Sequence, residues 1–244
     1  MIVGIIGTGV MGGGIVQLFL SNGFKVILKS RKKKAVGKIK TTTDFKELSS
    51  ADFIIEAVPE DIAIKEKVLR KLNEVCGNDV MIVSNTSSIP ITGLGRALDN
   101  PSRFAGMHFF NPVDKMNLVE VVRGEETSDE TVRKVCKIAE AVGKTPIVVK
   151  DSPGFIVNRL LLPFLNDAVL LLEKGVGSPE DIDTAVRMGL NHPMGPFRLL
   201  DLIGLDTFAR AMQNMGMEPA PRIQDMISKG KLGRKTGEGF YRYR

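Results

Sequence analysis

The sequence has few of the residues that mark several large classes of protein. It contains no tryptophan, two tyrosines, two cysteines and two histidines among 244 residues. With so few aromatic side chains to stack bases, a nucleic-acid surface is not expected, despite a formal net charge of +6. The basic excess is concentrated between Lys29 and Lys40 and near the end of the sequence. Local clusters of this kind fit a solvated face or a small phosphorylated ligand.

The positions of the cysteines and of the apolar runs argue against further classes of protein. Cys76 and Cys136 lie far apart, with no His or second Cys beside either, so neither a metal site nor a disulfide framework is predicted. The apolar stretch from Gly154 to Leu172 is interrupted by polar and charged residues, which favours a buried helix over a membrane span. The sequence starts directly with a folded-domain pattern instead of a signal peptide, so a cytoplasmic location is expected.

The order of apolar patterns predicts an α/β protein followed by helices. Strands are predicted at residues 2–6, 25–28, 52–58, 79–84, 104–108, 118–122 and 145–149, with helices at 11–22, 64–75 and 130–142. This alternation is typical of a Rossmann-type doubly wound parallel sheet. From residue 152 onward only helical patterns follow, at 155–172, 178–188 and 205–215. We therefore predict two domains, residues 1–150 and a smaller all-helical domain at 151–244.

Gly7, Gly9 and Gly12 form the segment GTGVMG between the first strand and the first helix. In such a segment the first glycine turns the chain, the second lets backbone approach a pyrophosphate, and the third allows close helix packing. The start of the helix then offers N–H groups to the anion. This context predicts that residues 1–150 bind a dinucleotide; the alternative is a tight turn without a ligand.

Ser30 and Arg31 follow the second strand, where NAD enzymes usually carry an acidic residue. A hydroxyl and a guanidinium can hold a ribose 2'-phosphate by charge-assisted hydrogen bonds, whereas a carboxylate would repel it. The sequence therefore favours NADP over NAD as cofactor. The alternative is a solvated basic turn with no part in binding.

His108 and Glu120 are the candidates for acid/base chemistry. His108 follows a predicted strand at the sheet edge where open α/β sheets bind ligands, as does the segment 85–88. Taken alone, a single His among apolar neighbours is more often a core residue than a catalyst. Glu120 lies within LVEVV, a pattern suited to burial, and buried carboxylates are rarely unpaired. A Glu120 that accepts from one imidazole nitrogen would stabilise the imidazolium, and we favour this dyad over a surface salt bridge.

Nine segments resemble, in order and in much of their spacing, those of the 3-hydroxyacyl-CoA dehydrogenase family, especially its short-chain 3-hydroxybutyryl-CoA members. They are GxGxxG, EAVPED, SNTSS, GMHFFNP, LVEVVRG, KDSPGFIVNRLL, HPMGP, DLIGLD and GRKTGEGFY. The resemblance covers nearly the whole chain. It implies a Rossmann domain, a helical domain that forms a homodimer, and interconversion of a short-chain 3-hydroxyacyl-CoA with its 3-keto form through a nicotinamide cofactor.

The resemblance also implies roles for single residues. His108 matches the base of the family and Glu120 its carboxylate partner, while Ser87 and Asn158 match residues that contact the substrate. These two side chains can hydrogen-bond the oxygen that passes between hydroxyl and ketone. Beyond the glycine segment, cofactor contacts are implied for Glu60, Lys65 and Asn111.

The chain departs from the family after the second strand, where the family usually carries a basic helical hairpin that helps to hold coenzyme A. Here only residues 31–40 remain, in which Lys32, Lys33, Lys34 and Lys38 can partly replace the lost contacts. Two other functions therefore stay open: a dehydrogenase of a free hydroxy acid, and a cofactor-binding protein without turnover. The presence of all four predicted catalytic residues argues against the second.

Overall fold

The computed structural model describes residues 1–31 and 39–243. The chain divides into two compact units, Met1–Phe155 and Ile156–Arg244. The sequence analysis placed the division after residue 150, a few residues earlier. None of the helices in the described ranges is both long and apolar enough to cross a bilayer.

The first unit is built on an eight-stranded sheet with the order β3-β2-β1-β4-β5-β6-β7-β8. Its strands are β1 (Ile2–Ile6), β2 (Lys25–Lys29), β3 (Lys40–Thr42), β4 (Phe53–Glu56), β5 (Met81–Ser84), β6 (Phe104–Phe109), β7 (Leu118–Arg123) and β8 (Thr145–Lys150). Neighbours from β3 to β6 pair in parallel, β6 and β7 pair antiparallel, and β7 and β8 pair in parallel. The strand order reverses at β1, and doubly wound sheets bind ligands at such a point.

Helices cover both faces of this sheet. They are α1 (Val10–Ser21), α2 (Ile62–Val75), α3 (Ile91–Gly95) and α4 (Asp129–Ala141). Successive strand residues point to opposite faces, so Phe53 and Ile55 of β4 pack in one apolar layer with Phe19, whereas Ile54 packs in the other with Leu69. Each such buried side chain contributes about 1.5–3 kcal/mol. Burial on both faces explains why the strands are continuous apolar runs.

The second unit is helical. It contains α5 (Val157–Glu173), α6 (Pro179–Gly189), α7 (Pro196–Ile203), α8 (Leu205–Asn214) and α9 (Pro221–Ser228). One apolar cluster joins them, in which Leu165, Leu200, Phe208 and Ile223 are fully buried. The predicted fold class, a doubly wound sheet followed by a smaller helical domain, is therefore confirmed.

The last residues of the chain pack into this second unit. The buried carboxylate of Asp201 accepts hydrogen bonds from the N–H groups of Phe240 and Tyr241 and from the hydroxyl of Tyr243, all at 2.9 Å. The ring of Phe240 lies 4.6 Å from that of Phe197. The final segment is thus part of the folded unit.

Candidate active site

The glycine segment forms a close turn between β1 and α1. Gly7 has a φ of 116°, and a Cβ at this position would lie 2.3 Å from the carbonyl oxygen of Ala57. A Cβ on Gly12 would lie 2.2 Å from the carbonyl oxygen of Gly7. At Gly9 a Cβ would meet nothing within 4 Å, and Gly9 has no side chain with which to cap α1. The turn is therefore closed on the sheet side and open at the helix start, as a bound pyrophosphate requires.

A cavity of about 360 Å³ adjoins this turn. Gly7 and Gly9 line it together with Ser30 and Arg31, and Ile64 and Val68 contribute an apolar wall. Ser30 is buried and its N–H donates to the carbonyl oxygen of Thr42 at 3.0 Å, whereas Arg31 is exposed. The two residues predicted to select the cofactor therefore share one cavity with the glycine turn.

The remaining predicted contacts lie in three different parts of the chain. Lys32, Lys33, Lys34 and Lys38 lie outside the described residues. Asn111 follows β6 and is exposed. Asn158 is the second residue of α5, half-buried, in the second unit.

Glu60 organises the turn that carries Ser87. One carboxylate oxygen of Glu60, Oε1, accepts hydrogen bonds from the hydroxyls of Thr86, Ser87 and Ser88 and from the N–H groups of Ser87 and Ser88, at 2.7 to 3.2 Å. Burial raises the pKa of Glu60, but the charge of Lys65 and these hydrogen bonds outweigh it and hold that pKa below its ordinary value. Ionised Glu60 thus fixes the backbone and the hydroxyl of Ser87.

Lys65 is buried between carboxylates and not open to the cavity. Its Nζ lies 2.9 and 3.1 Å from the two oxygens of Glu56 and 3.4 Å from Oε2 of Glu60. Only 1% of its side chain is exposed. The hydroxyl of Ser84 also donates to Glu56, at 2.5 Å. Lys65 therefore contacts Glu56 and Glu60, and the cofactor contact predicted for it stays a prediction.

Sequence reasoning did not identify Glu56 or Ser84 as part of this site. The signal was present, since Glu56 ends the otherwise apolar run FIIE in the same way that Glu120 interrupts LVEVV. A carboxylate in a strand buried on both faces needs a partner.

His108 and Glu120 form a buried pair. They are direct partners in the register of β6 and β7, and Nδ1 of His108 lies 2.7 Å from Oε2 of Glu120. The side chains are 7% and 0% exposed. The rings of Phe110 and Phe155 lie 4.4 and 5.8 Å from the imidazole. Because Nδ1 is engaged, Nε2 is the nitrogen left to exchange a proton.

The ends of β5 and β6 are joined beside this pair. Oδ1 of Asn85, which follows β5, accepts a hydrogen bond from the N–H of Phe109 at 3.0 Å. The Thr86–Ser88 turn and His108 therefore sit at the carboxyl ends of neighbouring parallel strands. This arrangement can hold a substrate oxygen near a serine hydroxyl and a proton-transfer group.

The chain is similar to known proteins over nearly its whole length. The sequence model described as 3-hydroxyacyl-CoA dehydrogenase, NAD binding domain, matches residues 2–38 and 29–152, and that of the C-terminal domain matches residues 154–243. A probable 3-hydroxybutyryl-CoA dehydrogenase of Deinococcus radiodurans is 42% identical over 275 aligned positions, which cover 98% of this chain and 99% of the relative. The alignment is longer than this chain of 244 residues, which is therefore shorter than the relative.

Two solved structures are also similar to the chain over its whole length. The crystal structure of (S)-3-hydroxybutyryl-CoA dehydrogenase from Ralstonia eutropha matches with a TM-score of 0.95 at 40% identity, over 100% of this chain and 99% of that one. A structure of a diketoreductase that acts on dicarbonyl compounds matches with a TM-score of 0.86 at 30% identity, over 100% and 99% of the two chains.

Proposed function

Because the chain belongs to the 3-hydroxyacyl-CoA dehydrogenase family, we propose that it interconverts a short-chain 3-hydroxyacyl-CoA and the corresponding 3-ketoacyl-CoA. The observation that carries this proposal is the buried His108–Glu120 pair, at the carboxyl edge of a sheet whose β1–α1 turn fits a dinucleotide. A bound nicotinamide supplies or accepts the hydride at C3 of the substrate.

Each residue has a separate task in this reaction. Nε2 of His108 takes the proton of the substrate hydroxyl during oxidation and returns it during reduction. Glu120 keeps the imidazole in one orientation and stabilises its protonated form. Ser87 and Asn158 hydrogen-bond the reacting oxygen, and Glu60 and Asn111 assist in holding the cofactor.

For the cofactor itself we propose NADP in preference to NAD. Support comes from the cavity beside the glycine turn, which Ser30 and Arg31 line and to which Lys29 adds a second cation. A charge-assisted hydrogen bond contributes about 1.5–3 kcal/mol, so a single one favours NADP by roughly tenfold. The matched sequence model is described as NAD binding, and NAD held through its ribose hydroxyls is the alternative.

A second candidate substrate is a free hydroxy or keto compound without coenzyme A. Two observations favour it. Between Arg31 and Lys40 the chain is short, and the two stretches matched by the NAD-binding model overlap at residues 29–38, as expected where a segment is missing. The diketoreductase similar to this chain acts on dicarbonyl compounds.

We also propose a homodimer formed through the helical unit. Large apolar side chains are exposed there, among them Leu160 at 70%, Val176 at 66% and Met188 at 81%. Exposed apolar surface of this kind often marks an interface between subunits. The cytoplasmic location stays a prediction.

Absorbance of the reduced nicotinamide tests the proposed function. The purified protein is mixed with NADPH or NADH and with acetoacetyl-CoA, acetoacetate or no substrate. Rapid oxidation with acetoacetyl-CoA alone supports the leading proposal, and faster oxidation with acetoacetate supports the second candidate. No oxidation by the wild type in any mixture refutes both, and His108→Gln serves as the inactive control.

A further inference from the structure

Glu56, Lys65 and Glu60 form a chain of charges between the sheet and the Ser87 turn. Glu56 closes β4 and is fully buried, and Lys65 lies in the first turns of α2 with 1% of its side chain exposed. Glu60 lies between them in sequence and is 24% exposed. Two carboxylates thus share one buried ammonium group, which partly compensates the cost of their burial.

The two oxygens of Glu60 face different neighbours. Oε2 lies 3.4 Å from Nζ of Lys65, while Oε1 accepts five hydrogen bonds from the Thr86–Ser88 turn. With many donors converging on one oxygen, the position of that oxygen determines where the turn lies. The ion pair on the other oxygen therefore restrains the orientation of the turn.

The ammonium group of Lys65 is surrounded by acceptors of the protein itself. Four oxygens lie within 3.4 Å of Nζ, two from Glu56, one from Glu60 and the carbonyl of Val58, and an ammonium group has three N–H donors. The contact with Glu60 gives Lys65 a route to the Ser87 turn that needs no bound cofactor.

We propose that Lys65, fixed by Glu56, is a positioning residue that sets the hydroxyl of Ser87 through the carboxylate of Glu60. Lys65 holds Glu60, Glu60 holds the turn, and the turn presents Ser87 to the reacting oxygen. The inference rests on the proposed function, because it takes Ser87 as a substrate contact.

The first test is amide hydrogen exchange in the protein without ligand, which needs no turnover. Lys65→Met alone leaves Glu56 buried without its partner and can prevent folding, so the main variant is Glu56→Gln/Lys65→Met, in which no charge remains at either position. Exchange at the amides of Ser87 and Ser88 should accelerate at least about tenfold, because their acceptor is no longer held. The amides of Ile91 and Thr92, which donate to Asp151, should be unchanged.

A matched control removes an ion pair of the same residue types from the same helix. Lys71 and Glu74 form an exposed pair on α2, and Lys71→Met/Glu74→Gln should leave exchange at Ser87 and Ser88 as in the wild type. Unchanged exchange at these amides in Glu56→Gln/Lys65→Met would overturn the proposal.

The second test is a double-mutant cycle with Ser87→Ala. Glu56→Gln/Lys65→Met should lower kcat roughly tenfold in the wild-type background and less than about twofold in the Ser87→Ala background. The second decrease is smaller because Lys65 and Glu60 act by positioning the Ser87 hydroxyl, which Ser87→Ala removes. A general structural role predicts equal decreases in both backgrounds, and that result would also overturn the proposal. If the wild type shows no turnover at all, the proposed function fails, and the exchange experiment still decides whether Lys65 orders the turn.

Discussion

Glu120 stands directly opposite His108 in the β6–β7 ladder, so one cross-strand pair supplies both members of the proposed acid/base dyad. Because neither side chain has to reach across a loop, the 2.7 Å contact is set by strand register. The dyad is therefore as rigid as the sheet that carries it.

We expect His108→Gln to lower kcat by about 100-fold or more, the usual scale for loss of a general acid/base. Glu120→Gln should also lower kcat, with little change in the KM for the cofactor, because Glu120 contacts the imidazole. Steady-state kinetics with acetoacetyl-CoA and the preferred reduced cofactor measures both. A His108→Gln variant with near-normal kcat would remove this residue from the mechanism.

Replacing Arg31 should change the choice of cofactor. We expect a higher kcat/KM for NADPH than for NADH, and Arg31→Ala should remove most of a roughly tenfold preference while activity with NADH changes little. Lys25→Ala is the matched control, since Lys25 is exposed at the opposite end of β2. Equal kcat/KM values in the wild type, or a preference for NADH, would contradict the NADP proposal.

Two neighbouring glycines of α1 should respond differently to the same substitution. Gly12→Ala places a Cβ 2.2 Å from the carbonyl oxygen of Gly7, whereas Gly13→Ala places one with nothing within 4 Å. Overpacking of this kind costs about 1–3 kcal/mol, and Gly12→Ala should lower Tm by about 2–4 °C per kcal/mol. Gly13→Ala should keep or raise Tm, because Ala favours helix over Gly by about 1 kcal/mol. Similar Tm losses in both would mean that the close approach of Gly12 to Gly7 does not matter.

Acid should weaken the Ser87 turn. The pKa of Glu60 lies below its ordinary value in the folded protein, so its contribution to stability is present above the pKa of the unfolded chain and is lost as pH falls through the lowered folded pKa. The Tm of the wild type should therefore exceed that of Glu60→Gln at neutral pH, and the difference should shrink as pH falls below the ordinary range of a glutamate. Thermal melts from pH 7 to 3 measure it, and a difference independent of pH would show that the charge of Glu60 is not involved.

The subunit interface can be tested by adding charge to the exposed apolar residues. We expect the wild type to sediment as a dimer at micromolar concentration and Leu160→Lys or Met188→Lys to shift it toward monomer, because burying an unpaired ammonium is costly. Val148→Lys is the control, since Val148 is 54% exposed in the first unit. Sedimentation of the wild type as a monomer only would refute the homodimer.

The central strands of the first unit were largely predictable because each is a mostly apolar run buried on both faces. The strand predicted at residues 2–6 is found at Ile2–Ile6, and that predicted at 104–108 at Phe104–Phe109. The three-residue edge strand Lys40–Thr42 was missed because so short a segment has no recognisable period. Helix α7 was not predicted, although Pro196 occupies its first turn, where proline is favoured.

Side-chain partners in the site were predictable only where a charged residue in a buried strand required a partner. A buried Glu120 required a donor, and His108 was the available one; the structure contains their contact, while its catalytic role stays a prediction. The partner of Lys65 could not be chosen from sequence, because Glu56 and Glu60 are both near it along the chain. Only the packing of α2 on the sheet brings its ammonium between them.

The contacts of Asp201 have a consequence for how the chain is synthesised. Its buried carboxylate is satisfied by residues about forty positions later, at Phe240, Tyr241 and Tyr243. Until those residues emerge from the ribosome, the helical unit holds a carboxylate that must stay hydrated or protonated. The sheet unit has all of its strands by Lys150 and can fold earlier, since domains generally fold in the order of their synthesis. Closure of the helical unit therefore waits for these later residues and follows completion of the sheet.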